Sequence, residues 1–512
     1  MLTSRLKLPA VLAIGALFLG ACSQTTNDTN PTQSGPASIS IMSPYFSATP
    51  PEGDDPINLA LNDLTGSTIN MRWVPDADYA STVNTVLAGN DIPDVMVIKN
   101  KDQGFIQTAQ AGGFWDLTDY LASGDYPNLV PATPEIQDNA AVNGRVFGVF
   151  RLRDVMRESV IIRADWLKNL GLSLPKTTDD LKKIAQAFTQ DDPDGNGVND
   201  TVGILMVAWA GLGNQQPLDA FDIWFGAGNV WKESNGKLVP SWTTPEWLQS
   251  LKYSRDLVTS GYVNPDWATV ASSDWNSMFV NNKGGIIIDV SSRAAQLINL
   301  YRESDPDNFS NYVTLTGQLS SPNGSFTMPT AGYSGFLAIS KSSVKTEDQL
   351  KSVLTVLDKL NTKPAQILLN NGIEGQNFTV TADGYATYNQ DADSKTMTDL
   401  VQNAWAQIGM NVGGNQFYVA APATDYDKQI YQTRLDIMAA DAKNAVFNPA
   451  LGLNSDTYTT TGTQLDQIIA DARIQYVAGQ LDDAGLAAAV QRWKDQGGDT
   501  MTSEYNALYS PK

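Results

Sequence analysis

Between Ile39 and Ile98 the spacing of apolar residues switches repeatedly between two periods, and this restricts the fold more than any other feature. In SISIMSPYF, Ile39 and Ile41 alternate with serines, a strand signature. INLALNDLTG follows as a helix closed by Gly66, then STINMRWV as a second strand. ADYASTVNTVLAGND is a helix with Tyr79, Val83, Val86 and Leu87 on one face, and IPDVMVIK is a third, buried strand. Strand, helix, strand, helix, strand is the pattern of a parallel sheet with helices on its faces, so the fold class is α/β. GRVFGVFRL continues it as another strand.

A second alternation starts at SVIIRADWLKNLGL. The run from Thr178 to Thr189 predicts a helix, capped by Thr177 or Thr178, with Asp179 and Asp180 in its first turn. Leu181, Ile184, Ala185 and Phe188 form its apolar stripe. GGIIIDVSS, YVTLTGQLSS and GYSGFLAISKS read as strands, and from about Glu347 the pattern is mostly helical. A chain of 512 residues accommodates two or three domains. Two α/β units with interrupted and resumed strands predict two lobes joined by several crossings.

The N-terminus carries Arg5 and Lys7 ahead of an apolar run from Leu8 to Leu19, of signal-peptide length and too short for a comfortable membrane span. Leu19-Gly20-Ala21-Cys22 resembles the bacterial lipobox and holds the chain's single cysteine. The resemblance implies removal of residues 1–21, diacylglyceryl transfer to Cys22 and an extracytoplasmic protein anchored to the cell membrane by that lipid alone. Residues 22–37 are polar and aperiodic and are expected to form a flexible tether. A net charge of −21 argues against a nucleic-acid partner. The absence of histidine removes Ser-His-Asp and Cys-His catalysis and His-ligated zinc. Carboxylate-only chemistry, as in a glycan hydrolase or lyase, stays open.

DDPDGNGVNDT, Asp191 to Thr201, has calcium-loop spacing. Oxygen side chains fall at positions 1, 3, 5 and 9 (Asp192, Asp194, Asn196, Asp200), a backbone carbonyl at 7 (Val198), and glycine at 6 (Gly197). Ligands that are all hard oxygens favour Ca2+. Position 12 is Gly203, so the usual bidentate Glu is missing, and the following TVGILMVAW looks like a strand. The unit therefore reads as a structural clip and not a helix-loop-helix switch.

Several segments resemble the extracellular solute-binding proteins of bacterial ABC importers: VPDADYASTVNTVLAGNDIPDVMVI, GGFWDLTDYL, VNGRVFGVFRL and FVNNKGGIIIDVSS. IIRADWLKNLGLSLPKTTDDLKKIAQAFTQDDPDGNGVNDTVGI is the most specific; it resembles the larger carbohydrate-binding lipoproteins, including alginate-oligosaccharide binders and LplA-type lipoproteins. The resemblance implies a two-lobed periplasmic-binding-protein-like fold with three hinge crossings, a ligand cleft between the lobes and a helical C-terminal part. It also implies a monomer that binds a carbohydrate and delivers it to ABC permease subunits, without chemistry on the ligand, and a structural calcium in the Asp/Gly loop. A peptide or another solute is the alternative cargo. Residues 38–150 plus about 290–330 are expected to form one lobe, and about 151–289 plus 331–512 the other.

A sugar site needs aromatic faces and planar polar groups, and ligands of open α/β sheets meet the carboxyl ends of strands. By position, Tyr45, Arg151, Trp209, Asp289 and Tyr333 are ligand candidates, with Lys99, Asn100 and Arg153 at similar strand ends. Trp275, beside Asp274 in a segment without strong periodicity, is expected to stack on a sugar ring, with Asp274 or Asp289 accepting its hydroxyls. Trp166 lies on a helix stripe and reads as core, whereas Trp224, Phe225 and Trp231 fit either the cleft or the packing around it.

Overall fold

The computed structural model describes residues 38–89, 91–208, 212–213 and 217–510. The signal sequence, the tether with Cys22, and Trp209 lie outside the described residues.

Eleven strands build the two main sheets and one hairpin. They are β1 (Ser38–Tyr45), β2 (Thr68–Pro75), β3 (Val95–Ile98), β4 (Val149–Leu152), β5 (Glu158–Arg163), β6 (Val202–Ile204), β7 (Trp231–Ser234), β8 (Lys237–Pro240), β9 (Gly284–Val290), β10 (Val313–Thr316) and β11 (Tyr333–Ile339). The first sheet has the order β2-β1-β3-β11-β4; β1 runs parallel to β2 and β3, and β11 runs antiparallel to β3 and β4. The second has the order β10-β5-β9-β6, and β7 and β8 form a separate hairpin.

The alternation read between Ile39 and Ile98 is realised. The first helix, Pro56–Thr65, ends on Gly66, whose φ of 65° is the left-handed cap glycine adopts without strain. The helix Asp76–Ala88 buries Tyr79 and Val86 against the sheet, with Val83 and Leu87 packed beside them. The helix Thr178–Gln190 starts from a capping box in which Thr177 and Asp180 satisfy each other's backbone N–H. Its stripe of Leu181, Ile184, Ala185 and Phe188 is buried as expected. In the second sheet the period of two sorts the strands between two cores: Val160, Ile162, Ile286 and Ile288 join one, and Ile161 and Ile287 the other.

The lobes divide differently from the sequence expectation. β10 pairs with β5 in the second sheet, and β11 lies between β3 and β4 in the first. The helical third is shared: Leu350, Leu354, Leu369 and Trp405 pack on the first sheet, and Leu465, Ile469, Tyr476 and Trp493 on the second. Periodicity identifies a strand or an amphipathic helix but not its partner, because pairing is a long-range choice. The chain passes between the lobes at 153–157, between β10 and β11, and ahead of the helix Asp425–Asp441. The first two crossings are laced together: Arg153 N–H donates to Gly332 O at 3.0 Å and Thr330 N–H to Val155 O at 2.7 Å. Among the described residues no helix is long and apolar enough to cross a membrane.

Candidate functional site

A cavity of about 740 Å³ opens between the two lobes at the carboxyl edge of the parallel strands. The first sheet contributes Pro44 and Phe46 from the end of β1, Lys99, Asn100 and Lys101 after β3, and Arg151 and Arg153 from β4 and its exit. Tyr333, Ser334 and Gly335 add the start of β11. There the register shifts between Tyr333 and Phe336. Gly335 sits at φ 93°, where a Cβ would meet Ile98 O at 2.2 Å. Only glycine allows this bulge, which brings Tyr333 to the rim.

The facing wall is aromatic. Trp231 of the β7–β8 hairpin, Trp242, Tyr458 and Tyr505 line it, with Met501 behind. Trp231 and Tyr505 meet edge-on at 4.9 Å, and Trp242 meets Trp493 at 5.0 Å. These contacts anchor the wall in the second lobe's core. Asp466 stands in it as a carboxylate; Tyr458 Oη donates to it at 3.0 Å, and burial pushes its pKa up to about 6.

The cations of the first wall differ in what holds them. Lys99 pairs with Asp76 at 2.5 Å. Lys101 donates to Asn139 O at 2.7 Å, to Ala141 O at 2.9 Å and, across the cleft, to Leu451 O. Burial pushes its ammonium down to about 7, while the three carbonyls favour the charged form. Arg151 donates from Nη1 to Ser334 O at 3.2 Å and from Nη2 to Gln407 Oε1 at 2.9 Å. Burial, then the neighbouring Arg153, lower its pKa to about 10. Three buried donors of lining residues have no partner among the described residues: Arg151 Nε, Trp242 Nε1 and Asn454 Nδ2.

The rim is closed by a seam between residues 101–143 and 451–459. Asn143 N–H donates to Gly452 O at 2.8 Å, Asn454 N–H to Asn143 Oδ1 at 2.7 Å, and Gln103 Nε2 to Thr459 O. A Cβ on Gly452 would meet Asp138 O at 2.5 Å, so glycine permits this close approach.

Of the residues anticipated from sequence, Arg151 and Tyr333 line the cavity. Tyr45 is half-buried between Pro44 and Phe46, which do line it. Trp275, Asp274 and Asp289 are elsewhere, which corrects the expected stacking site. Trp275 is 0% exposed; its Nε1 donates to Leu205 O at 3.0 Å, and the Arg293 guanidinium lies 4.6 Å from its ring centre. It opens a single helical stretch, Trp275–Val280, too short to show a stripe in sequence, yet packs with Phe279 in a core. Asp289 is buried and paired with Arg293, and Asp274 is exposed. Burial, then the nearby Asp289, push the Glu158 carboxyl well above the usual range. Trp166 and Trp224 are core, and Phe225 packs; Trp231 reaches the cavity. Trp242, Asp466 and Tyr505 carry no sequence signal that separates them from packing residues.

The Asp/Gly loop lies away from the cavity lining. Asp192 accepts the Gly197 N–H at 2.9 Å and the Asn196 N–H at 3.1 Å. The Asn196 Nδ2 stands between the Asp194 and Asp200 carboxylates at 3.1 and 3.2 Å, where a cation would offset the same repulsion. Rotating that amide presents oxygen in place of nitrogen. Val198 is 58% exposed, so its carbonyl and not its side chain is what the loop offers. Among the described residues no three acidic side chains gather as a preformed metal cluster, but the donor set is all oxygen and fits Ca2+. A Glu at position 12 is sterically excluded, because a Cβ on Gly203 would meet Ala185 at 2.4 Å.

A family model described as bacterial extracellular solute-binding protein matches residues 51–367. The chain is 42% identical over 498 residues to lipoprotein LipO of Bacillus subtilis (strain 168), covering 97% of each chain. It is 29% identical over 504 residues to the polygalacturonan/rhamnogalacturonan-binding protein YtcQ of the same organism, covering 98% of this chain and 97% of that one. Two solved structures share the fold at 18% identity. A human-milk-oligosaccharide (HMO)-binding, ABC-transporter-associated solute-binding protein from Bifidobacterium longum infantis matches with TM-score 0.70, over 94% of this chain and 100% of that one. The alginate-binding protein AlgQ2, solved without calcium ion, matches with TM-score 0.64, over 93% and 98%.

Proposed function

The chain belongs to the bacterial extracellular solute-binding protein family, and on that premise we propose that it captures an oligosaccharide for an ABC importer. The observation that carries this reading is the interlobe cavity, with aromatic side chains on one wall and planar guanidinium and amide groups on the other. Rings stack on the C–H faces of a sugar, and the planar groups hold paired hydroxyls. A cavity of about 740 Å³ admits more than one sugar unit. The ligand sites are Arg151 and Tyr333 from the first lobe, with Tyr45 beside them, and Trp231, Trp242, Tyr458 and Tyr505 from the second. Closure of the lobes excludes water and strengthens each hydrogen bond. The ligand is passed intact to membrane permease subunits.

The mature chain starts at a lipidated Cys22, remains outside the cytoplasm on the membrane surface and acts as a monomer. The lipoprotein name of a 42% identical relative supports the anchoring. Asp192, Asp194, Asn196, Asp200 and the Val198 carbonyl hold a structural Ca2+, supported by the loop's all-oxygen donors and by AlgQ2, whose structure without calcium ion shares this fold. When bound, the ion joins the helix Thr178–Gln190 to β6.

The test is calorimetric titration and a thermal-shift screen with an oligosaccharide panel, with the ligand analysed afterwards. Saturable binding of one oligosaccharide per chain, recovered unchanged, is expected; turnover of the ligand or binding of peptides alone overturns the reading.

A further inference from the structure

We infer that the cavity selects a carboxylate-bearing, uronate-type oligosaccharide, with Arg151 and Arg153 as the residues that recognise its carboxylates; this rests on the oligosaccharide-capture reading above.

The chain carries 55 acidic and 34 basic side chains, yet the charged lining of the cavity runs the other way. Lys99, Lys101, Arg151 and Arg153 face it, with Asp466 as the carboxylate among the described lining residues. Two of these cations are already occupied, Lys99 by Asp76 and Lys101 by three backbone carbonyls. Arg151 and Arg153 are not: neither has a carboxylate partner among the described residues. Arg151 is held only by neutral acceptors, and its Nε has none.

The two arginines stand two residues apart along β4 and its exit, which places both on one face of the extended chain. Their charges oppose each other, and Arg157 adds a third positive charge beside Arg153. Clustered guanidiniums in a partly desolvated cleft are costly unless an anion completes them. A neutral sugar does not complete them. A carboxylate does, through two parallel N–H···O bonds matched to the guanidinium fork. The unpaired Trp242 and Asn454 donors agree, because a carboxylate only accepts hydrogen bonds.

The test is isothermal titration of the full mature chain with three probes: tri- to hexagalacturonate, the methyl ester of the same oligomers, and neutral galacto- and fructo-oligosaccharides. The free acid is expected to bind, with affinity falling as salt rises, and the ester to bind at least tenfold more weakly. Arg153→Gln, at an exposed position, and Arg151→Gln should each weaken the acid by about 10- to 150-fold, the loss of a charge-assisted bond. The ester should lose much less than the acid in both variants, so that the preference for acid over ester falls. Equal binding of acid and ester, tighter binding of a neutral oligosaccharide, or unaffected acid binding in folded Arg153→Gln overturns the inference but leaves sugar capture standing. No binding of any probe by folded wild type overturns both.

Discussion

The backbone N–H of Asn454 donates to the side-chain oxygen of Asn143 at 2.7 Å, joining two lobes whose partners lie 311 residues apart in sequence. Asn143 holds φ at 51°, in the left-handed region where Asn and Gly are tolerated, and this turns its amide toward the other lobe. With Lys101 and Gly452 the contact forms a latch on the cavity rim. Asn143→Gly keeps the backbone conformation and removes the acceptor. The dissociation constant should rise by about fivefold, the worth of one net hydrogen bond, with the melting temperature of the free protein barely moved. An unchanged constant in calorimetry would show that the seam contributes nothing to closure.

The pH dependence of binding should follow Asp466. Its carboxyl is pushed up to about 6 by burial, and Tyr458 and Tyr505 are the titratable groups packed around it. Above that pH it is negative and repels an anionic ligand; below it is neutral, while a uronate with an ordinary carboxylate pKa of about 4 stays ionised. Galacturonate oligomers should therefore bind several-fold more tightly at pH 5 than at pH 7.5. Lys101 titrates in the same direction, so Asp466→Asn is the control that isolates the carboxylate, and it should flatten most of the profile. For stability the raised pKa has a definite sign: this group makes the folded state lose stability as pH climbs from about 4 to about 6.

Trp275→Ala should destabilise the protein by about 3–5 kcal/mol, the cost of emptying a buried aromatic site. Affinity of the fraction that stays folded should match wild type. A weakened affinity with an unchanged melting temperature would return Trp275 to the cleft.

Calcium added to chelator-treated protein should raise the melting temperature by mass action, about 2.7 kcal/mol at 100 times the dissociation constant. Asp194→Ala should abolish that gain and leave ligand affinity nearly untouched, since the loop does not line the cavity. A metal analysis without calcium, or no thermal response, counts against the clip.

Cys22→Ser should release the protein into the soluble fraction of fractionated cells, and mass spectrometry of the wild-type N-terminus should find a lipid on Cys22. A variant that still sediments with membranes would place the anchor elsewhere.

Local chemistry was legible from the residues. The helix Thr178–Gln190 shows its capping pair and its stripe within 14 residues, and β5 and β9 show the short aliphatic runs Val160–Ile162 and Ile286–Ile288, because sheet strands covered on both faces need them. Two of the cavity residues, Arg151 and Tyr333, were legible too, since a residue that follows a parallel strand, or pairs beside one, falls on the ligand edge.

The tryptophans mark where that legibility stops. Trp275 and Trp231 are the same side chain in weakly periodic surroundings, and both are nearly solvent-free. Trp275 is sealed by Phe279, the Arg293 guanidinium and the Leu205 carbonyl, whereas Trp231 packs on Tyr505 and Trp242 and still lines the cavity; of these partners all but Phe279 lie more than ten residues away. Asp466 reads as a solvated position on a long helix until Tyr458 and the opposite lobe enclose it. The sequence by itself determined which segments are strands and helices and where the Asp/Gly loop joins them, because each is encoded within one or two turns of chain. The tertiary structure alone decided that β11 joins the first sheet, that Lys101 reaches across to Leu451, and that two arginines share a cavity in which, among the described residues, no carboxylate pairs with either. Those depend on contacts between residues hundreds of positions apart, whose pairing is selected by burial and charge over the whole fold.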